Sequence, residues 1–227
     1  MNHDHPWAFL SQSIPAFCEE LITGWIAQPG NTWSNIGFLV AGFWILFKEK
    51  NRKETWSIVL GWVLLIAGLG SAFYHASATF FGETLDYFGM FLGSAYMLCA
   101  VVIRYKSLSK ARGAALFIII FSGSLSIQYF NSSFDRSLYI AEFGVALLLE
   151  LIFYLKKGRS TQYRYLFLCW SAFIPGYVFW WLDQEKIVCN PANHFISGHA
   201  IWHLLDALAL FFLYHYYQQF ARIRTGR

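Results

Sequence analysis

The chain has 227 residues, of which 57% are apolar, 20% aromatic and only 13% charged. Because soluble domains carry about 25% charged residues, this composition excludes an ordinary water-soluble enzyme and favours a protein that crosses a membrane several times. The net charge of +4 comes from short basic loops between apolar stretches. We therefore attribute the charge to membrane topology and expect no nucleic-acid partner.

The first part of the chain, residues 1–31, is predicted to lie along the bilayer surface without spanning it. Apolar residues recur with helical spacing between Ile14 and Trp25, but Glu19 and Glu20 interrupt them. This pattern is typical of an interfacial segment.

Seven transmembrane helices are predicted after this segment. Pro29-Gly30 break the chain, and Asn31-Thr32 are able to cap the first helix. The predicted spans cover residues 32–48, 56–77, 84–104, 112–130, 136–156, 163–182 and 196–218. Each approaches the ~20 residues that a hydrocarbon core requires. Since no polar linker divides them, we expect one all-α integral membrane domain over residues 1–227, a seven-transmembrane-helix bundle.

The basic residues predict the orientation of this bundle. Four basic clusters fall on one side of a seven-span chain, at residues 48–53, 104–112, 156–164 and 222–227. The opposite side holds only Arg136 and Lys186. The positive-inside rule therefore predicts an outside or lumenal N-terminus and a cytoplasmic C-terminus.

The four cysteines divide into two groups under this topology. Cys18 and Cys189 both fall on the outer face, where a disulfide can persist. The alternative is that they are two unrelated thiols in loops. Cys99 and Cys169 lie within spans and are expected to be packed thiols.

A cluster of chemically reactive side chains is predicted near the outer ends of three spans. His199 and His203 are four residues apart and share one helix face. Ser71 and His75 lie one turn apart at the outer end of the second span, and Asp86 lies in the first turns of the third. A buried histidine pair is expensive in a membrane unless it binds something. We therefore interpret His75, His199 and His203 as zinc ligands.

Three protein ligands leave a fourth zinc position for water, as in catalytic sites. Ala200 occupies the place where a His-Glu-x-x-His protease carries its general base. Asp86 is therefore the candidate base, and Ser71 is the candidate donor to an oxyanion. The alternative is that the histidines are packed, hydrogen-bonded core residues.

Three further acidic residues are predicted to lie inside the protein. Asp206 shares the face of His203, where it could orient an imidazole or pair with another helix. Glu142 and Glu150 are costly in lipid and are expected to face inward, with structural hydrogen bonds. The remaining histidines are expected at surface or interfacial positions: His3, His5, His194 and His215.

The ordered motifs of the chain resemble those of the alkaline ceramidases, which belong to a membrane-hydrolase superfamily that includes the adiponectin and progestin receptors. The resemblance covers nearly the whole sequence. The matching motifs are Cys18-Glu19-Glu20, Asn31-Thr32-Trp33-Ser34-Asn35, Gly70-Ser71-Ala72-Phe73-Tyr74-His75, Leu85-Asp86 and His199-Ala200-Ile201-Trp202-His203.

This resemblance implies zinc-dependent hydrolysis of the amide bond of a ceramide-like lipid, giving a sphingoid base and a fatty acid. The alternative function is a zinc-containing, lipid-binding receptor without turnover. The compact length favours a multi-pass protein of a bacterial inner membrane over one of an ER or Golgi membrane.

The resemblance also implies a calcium site in the N-terminal segment. Glu19 is present, but Ala16, Leu21 and Gln28 stand where carboxylate or amide ligands are expected. The sequence therefore argues against calcium as a second cofactor. The oligomeric state is not predicted.

Overall fold

The computed structural model describes residues 6–51, 54–106, 108–130, 135–157 and 162–225. Its regular structure is helical, which confirms the all-α class. The helices are α1 (Pro29–Trp33), α2 (Ile36–Glu49), α3 (Thr55–Ser77), α4 (Phe80–Lys106), α5 (Lys110–Phe130), α6 (Asp135–Lys157), α7 (Arg164–Gln184) and α8 (Gly198–Thr225).

Five of these helices, α3 to α7, are long and apolar enough to cross a membrane. The protein is therefore a multi-pass membrane protein. Helix α2 has 14 residues and a length of about 21 Å, which is less than the ~30 Å hydrocarbon core. Helix α8 has 28 residues but a more polar sequence. The count of seven spans therefore remains a prediction.

The described chain forms two compact units. The first comprises Met1–Asp86 with Tyr163–Arg227, and the second comprises Tyr87–Gln162. Within the first unit, α7 packs along α8, and α2 packs against both α3 and α8.

The second unit contains the predicted inward-facing carboxylates. Glu142 accepts hydrogen bonds from the hydroxyl groups of Ser94 and Ser124. Glu150 forms an ion pair with Arg104. Both carboxylates are buried, and their hydrogen bonds agree with the structural role expected for them.

Residues 6–28 of the N-terminal segment contain no helix, although their apolar residues recur with helical spacing. Residues 12–28 follow an irregular path along the end of α3, where Ala27 N donates to Ala76 O at 2.9 Å and Gln28 N donates to His75 O at 3.0 Å. These bonds satisfy terminal carbonyl groups that α3 leaves unpaired. A surface position in the bilayer remains a prediction, which the 68% exposure of Trp25 favours.

The start of the first span also differs from the prediction. Asn31 and Thr32 lie inside the short helix α1 and do not cap α2, whose N-cap is Asn35. The reason is that Pro29 takes the first position of α1, where its missing N–H costs nothing. Asn31 instead has its N–H bonded to the Glu19 carboxylate.

A disulfide joins Cys18 to Cys189, with a Cα–Cα distance of 5.5 Å. This confirms the first of the two alternatives for these residues. Cys99 and Cys169 are buried and lie outside the disulfide, as expected of packed thiols.

The described residues contain part of each basic cluster. Arg52, Lys53, Arg159 and Arg227 lie outside the described residues, as do the side chains of Arg136, Arg222 and Arg224. The orientation of the chain therefore remains a prediction.

Candidate metal centre

Three histidines converge in the first unit, two on α8 and one on α3. Each of His75, His199 and His203 offers one nitrogen to a group whose ligand atoms lie within 4.8 Å of one another. The Nε2 atoms of His75 and His199 are 3.0 Å apart. Two nitrogens held by one tetrahedral zinc ion at about 2.0–2.1 Å lie about 3.3 Å apart, so the three rings fit a single metal ion.

Two of the three imidazoles are held by hydrogen bonds on the side away from this convergence. His75 Nδ1 lies 2.8 Å from Gln28 Oε1. His203 Nδ1 lies 2.8 Å from Ser34 Oγ. Acceptors on Nδ1 favour the tautomer whose Nε2 lone pair is available to a metal.

The third imidazole, His199, is positioned by packing. Its ring stacks on Phe17 with centroids 3.7 Å apart. Its Nδ1 atom is buried and has no hydrogen-bond partner among the described residues. His199 is therefore fixed by its ring faces and its backbone, and no side-chain acceptor selects its tautomer.

The backbone position of His199 is set by the first turn of α8. Ser197 Oγ accepts from Ala200 N at 2.9 Å, as an N-cap residue does. Asp183, at the end of α7, accepts from His199 N through Oδ2 at 3.1 Å and from Cys18 N through Oδ1 at 2.9 Å. One buried carboxylate therefore joins the disulfide-bonded segment to the first turn of α8.

Ser71 and Asp86 lie beside the histidines. Ser71 Oγ is 3.3 Å from His203 Nε2, and its side chain also forms a hydrogen bond with the Asp86 carboxylate. A close crossing of α3 and α4 permits this arrangement, since a Cβ on Gly70 would lie 2.5 Å from Leu85 O. The five predicted site residues are thus brought together within one compact unit.

Other predicted polar residues have different surroundings. Asp206 is buried, but Oδ1 has no hydrogen-bond partner among the described residues, so neither interpretation of Asp206 is supported. His194 is partly buried and bonds to the Glu19 carboxylate at 3.2 Å. His215 packs among aromatic rings, including Trp44 and Phe211. His3 and His5 lie outside the described residues.

Sequence reasoning missed four residues that support the histidines: Gln28, Ser34, Asp183 and Ser197. They lie in segments without helical periodicity or at helix ends, and their contacts join distant parts of the chain. The one available signal was the Pro-Gly break with the polar residues that follow it at 31–35.

The donor set suits a metal ion such as Zn²⁺. All three histidines are buried, and neutral imidazole nitrogen is a preferred zinc ligand. The described part of the chain contributes no cysteine to the group. Three ligands next to a hydroxyl and a carboxylate fit an open, catalytic site better than a closed, structural one.

Comparisons with a family model and with individual known proteins identify the same group of relatives. Residues 11–227 match the sequence model of a family described as Ceramidase. The chain is 25% identical to a putative alkaline ceramidase, dcd3B, of Dictyostelium discoideum, with 90% of this chain and 84% of that protein aligned. It is 24% identical to alkaline ceramidase 1 of Homo sapiens, over 81% and 72% of the two chains. It is 21% identical to alkaline ceramidase YPC1 of Saccharomyces cerevisiae, over 91% and 79%.

Proposed function

The chain belongs to the ceramidase family, and from this premise we propose that it is a membrane hydrolase that cleaves the amide bond of ceramide-like lipids. The products are a sphingoid base and a fatty acid. The observation that carries the proposal is the convergence of three buried histidines beside Ser71 and Asp86. This is the arrangement of side chains that metal-assisted hydrolysis requires.

The metal in this proposal is Zn²⁺, held by His75, His199 and His203. When bound, Zn²⁺ supplies a Lewis acid for the amide carbonyl and acidifies a water molecule. Glu19, the candidate carboxylate for a calcium site, already accepts hydrogen bonds from Gly30 N and Asn31 N, each at 2.8 Å. We therefore assign no role to calcium.

Asp86 and Ser71 perform the proton transfer and the charge stabilisation. Asp86 accepts the proton of the attacking water and afterwards delivers it to the nitrogen of the leaving sphingoid base. Ser71 Oγ–H donates to the oxyanion that develops on the former carbonyl oxygen. The position of Ser71 between the Asp86 carboxylate and His203 supports this division of roles.

The lipid substrate reaches the site from the membrane. In the proposed orientation, the N-terminus and the metal centre face the outside or the lumen, and the C-terminus faces the cytoplasm, with seven spans in a single domain. The curated relatives are eukaryotic, and a bacterial inner membrane stays a prediction for this chain.

The test is metal analysis of the purified protein in detergent, combined with mass-spectrometric detection of fatty acid released from ceramide. Asp86→Asn should lower kcat by about 10²- to 10⁴-fold, the range for loss of a general base, while zinc content stays at one ion per chain. His199→Ala should lose both zinc and turnover. Glu185→Gln, which alters an exposed carboxylate, is the matched control and should leave both unchanged.

Undiminished turnover by Asp86→Asn would refute the proposed mechanism. Stoichiometric zinc and bound lipid without turnover, across a panel of amides and esters, would favour the receptor-like alternative instead.

A further inference from the structure

We propose that Gln28 is a positioning residue of the metal centre, which orients the His75 imidazole so that its Nε2 lone pair faces the metal. The inference rests on the metal site of the proposed function, although it does not depend on which lipid is hydrolysed. Gln28 lies in the N-terminal segment, 47 residues before His75. It is not one of the proposed metal ligands.

The orientation of the Gln28 amide is fixed by its neighbours. Nε2 donates to the backbone oxygen of Glu19 at 2.6 Å. Oε1 accepts from Asn31 Nδ2 at 3.3 Å. A flipped amide would set two oxygens together at Glu19 and two NH₂ groups together at Asn31, so Oε1 must face His75.

This oxygen determines which nitrogen of His75 carries the proton. Oε1 lies 2.8 Å from His75 Nδ1 and is only an acceptor, so Nδ1 must donate. A neutral imidazole has one N–H, and its Nε2 therefore keeps a free lone pair. Gln28 and His75 are both 0% exposed, so bulk water does not compete for this hydrogen bond.

The same short segment orients a second ligand. Ser34 Oγ donates to Asn31 O at 3.0 Å, and since a hydroxyl has a single proton, it accepts from His203 Nδ1. Residues 28–34, which we name the histidine-orienting segment, thus select the tautomer of two of the three ligands. The Glu19 carboxylate anchors this segment through the N–H groups of Gly30 and Asn31.

The experiment measures zinc affinity by competition with a chelating dye, using the full-length protein in detergent. Gln28→Leu keeps the side-chain size but removes the acceptor. We expect it to weaken zinc binding by about 10- to 100-fold, the effect of losing such a supporting contact. Gln218→Leu is the matched control, because Gln218 is a buried glutamine that contacts Glu49 and Ser57, about 22 Å further along α8 from His203. It should leave zinc affinity unchanged.

A second variant separates the hydrogen bond to His75 from the hydrogen bond that the Gln28 side chain donates to Glu19 O. Gln28→Glu keeps an acceptor for His75 but loses the donor to Glu19 O. We expect its zinc affinity to stay within about threefold of the parent protein, and the visible spectrum of its cobalt-substituted form to match that of the parent protein, because the ligand geometry is retained. Gln28→Leu should alter that spectrum.

Three results would overturn the inference: unchanged zinc affinity in folded Gln28→Leu, equal losses in Gln28→Leu and Gln218→Leu, or a loss in Gln28→Glu as large as that in Gln28→Leu. If Gln28→Leu does not fold, the zinc affinity of Gln28→Glu is the test: affinity within about threefold of the parent protein supports the inference, and a larger loss overturns it. A parent protein that binds zinc but does not release fatty acid would count against the proposed function and leave this inference intact.

Discussion

At the scale of single residues, Ser71 contacts both the histidine cluster and Asp86, the proposed general base. Its Oγ atom lies 3.3 Å from His203 Nε2, and its side chain also bonds to Asp86. Ser71 is itself buried. A hydroxyl in this position can turn toward a substrate oxygen without moving either helix.

Ser71→Ala should lower kcat for ceramide by about 10²- to 10³-fold, since one oxyanion donor is lost. The zinc content should not change, because Ser71 is not needed as a ligand. Steady-state kinetics and metal analysis of the same sample check both parts. Ser77→Ala, on the same helix with its hydroxyl bonded to Thr79, is the control. Full activity in Ser71→Ala would exclude the oxyanion role.

The sequence could predict which side chains of the candidate site come together, but not those that orient the histidines. His199 and His203 share a face by spacing alone, and the topology predicted a common depth for Ser71, His75 and Asp86. Gln28 reaches His75 through a non-periodic segment, and its amide orientation depends on Glu19 and Asn31. Such contacts follow from tertiary packing, which no local pattern encodes.

At the scale of the helices, the crossing of α3 and α4 sets the distance between Ser71 and Asp86. Gly70 lies at this crossing, where the backbone of Leu85 occupies the space that a side chain would need. Close backbone approach of this kind is one of the few tasks that only glycine performs. The position of Asp86 relative to Ser71 therefore depends on Gly70, which has no reactive side chain.

Gly70→Ala should force the two helices apart, because its Cβ would lie 2.5 Å from a backbone oxygen. We expect overpacking to cost about 1–3 kcal/mol, and displacement of Asp86 to lower turnover on the order of 100-fold. Thermal unfolding and kinetics in detergent measure both effects. Gly123→Ala is the control, since a Cβ there meets nothing within 4 Å, and it should be neutral or stabilising by up to about 1 kcal/mol. Equal behaviour of the two variants would contradict the packing argument.

Helix boundaries were less predictable than helix existence. The apolar runs predicted α3 to α7 well, because length and hydropathy decide them. The segment before α1 is not helical despite its helical apolar spacing, since periodicity does not reveal that its N–H groups pair with the end of α3. The backbone of this segment is positioned by hydrogen bonds to the carbonyl groups of Ala76 and Ala78, and these bonds replace those of a helix.

At the scale of the whole molecule, the disulfide ties the start of the chain to the loop between α7 and α8. It joins residues 171 positions apart, and Cys18 N also bonds to Asp183. Disulfides form and persist mainly in oxidising compartments. The bond therefore supports the prediction that the N-terminal segment and this loop share the outer face.

Cys18→Ser should lower the free energy of unfolding by about 2–4 kcal/mol, a typical value for a native disulfide. It should also weaken zinc binding, because the Asp183 carboxylate that accepts from Cys18 N also accepts from His199 N. Thermal unfolding and the chelator assay, each with and without a reductant, measure the two effects. The double variant Cys18→Ser, Cys189→Ser should not respond to the reductant. A reductant that leaves the parent protein unchanged would contradict this coupling.

The distribution of the three ligands along the chain has a consequence for biosynthesis. His75 and His199 are 124 residues apart, and two of the three ligands belong to the last helix. A ribosome must therefore synthesise the chain through His203 before all three proposed ligands exist. We therefore expect zinc to load only after α8 has been synthesised, and a stop codon before Gly198 to leave a product with His75 as its single proposed ligand.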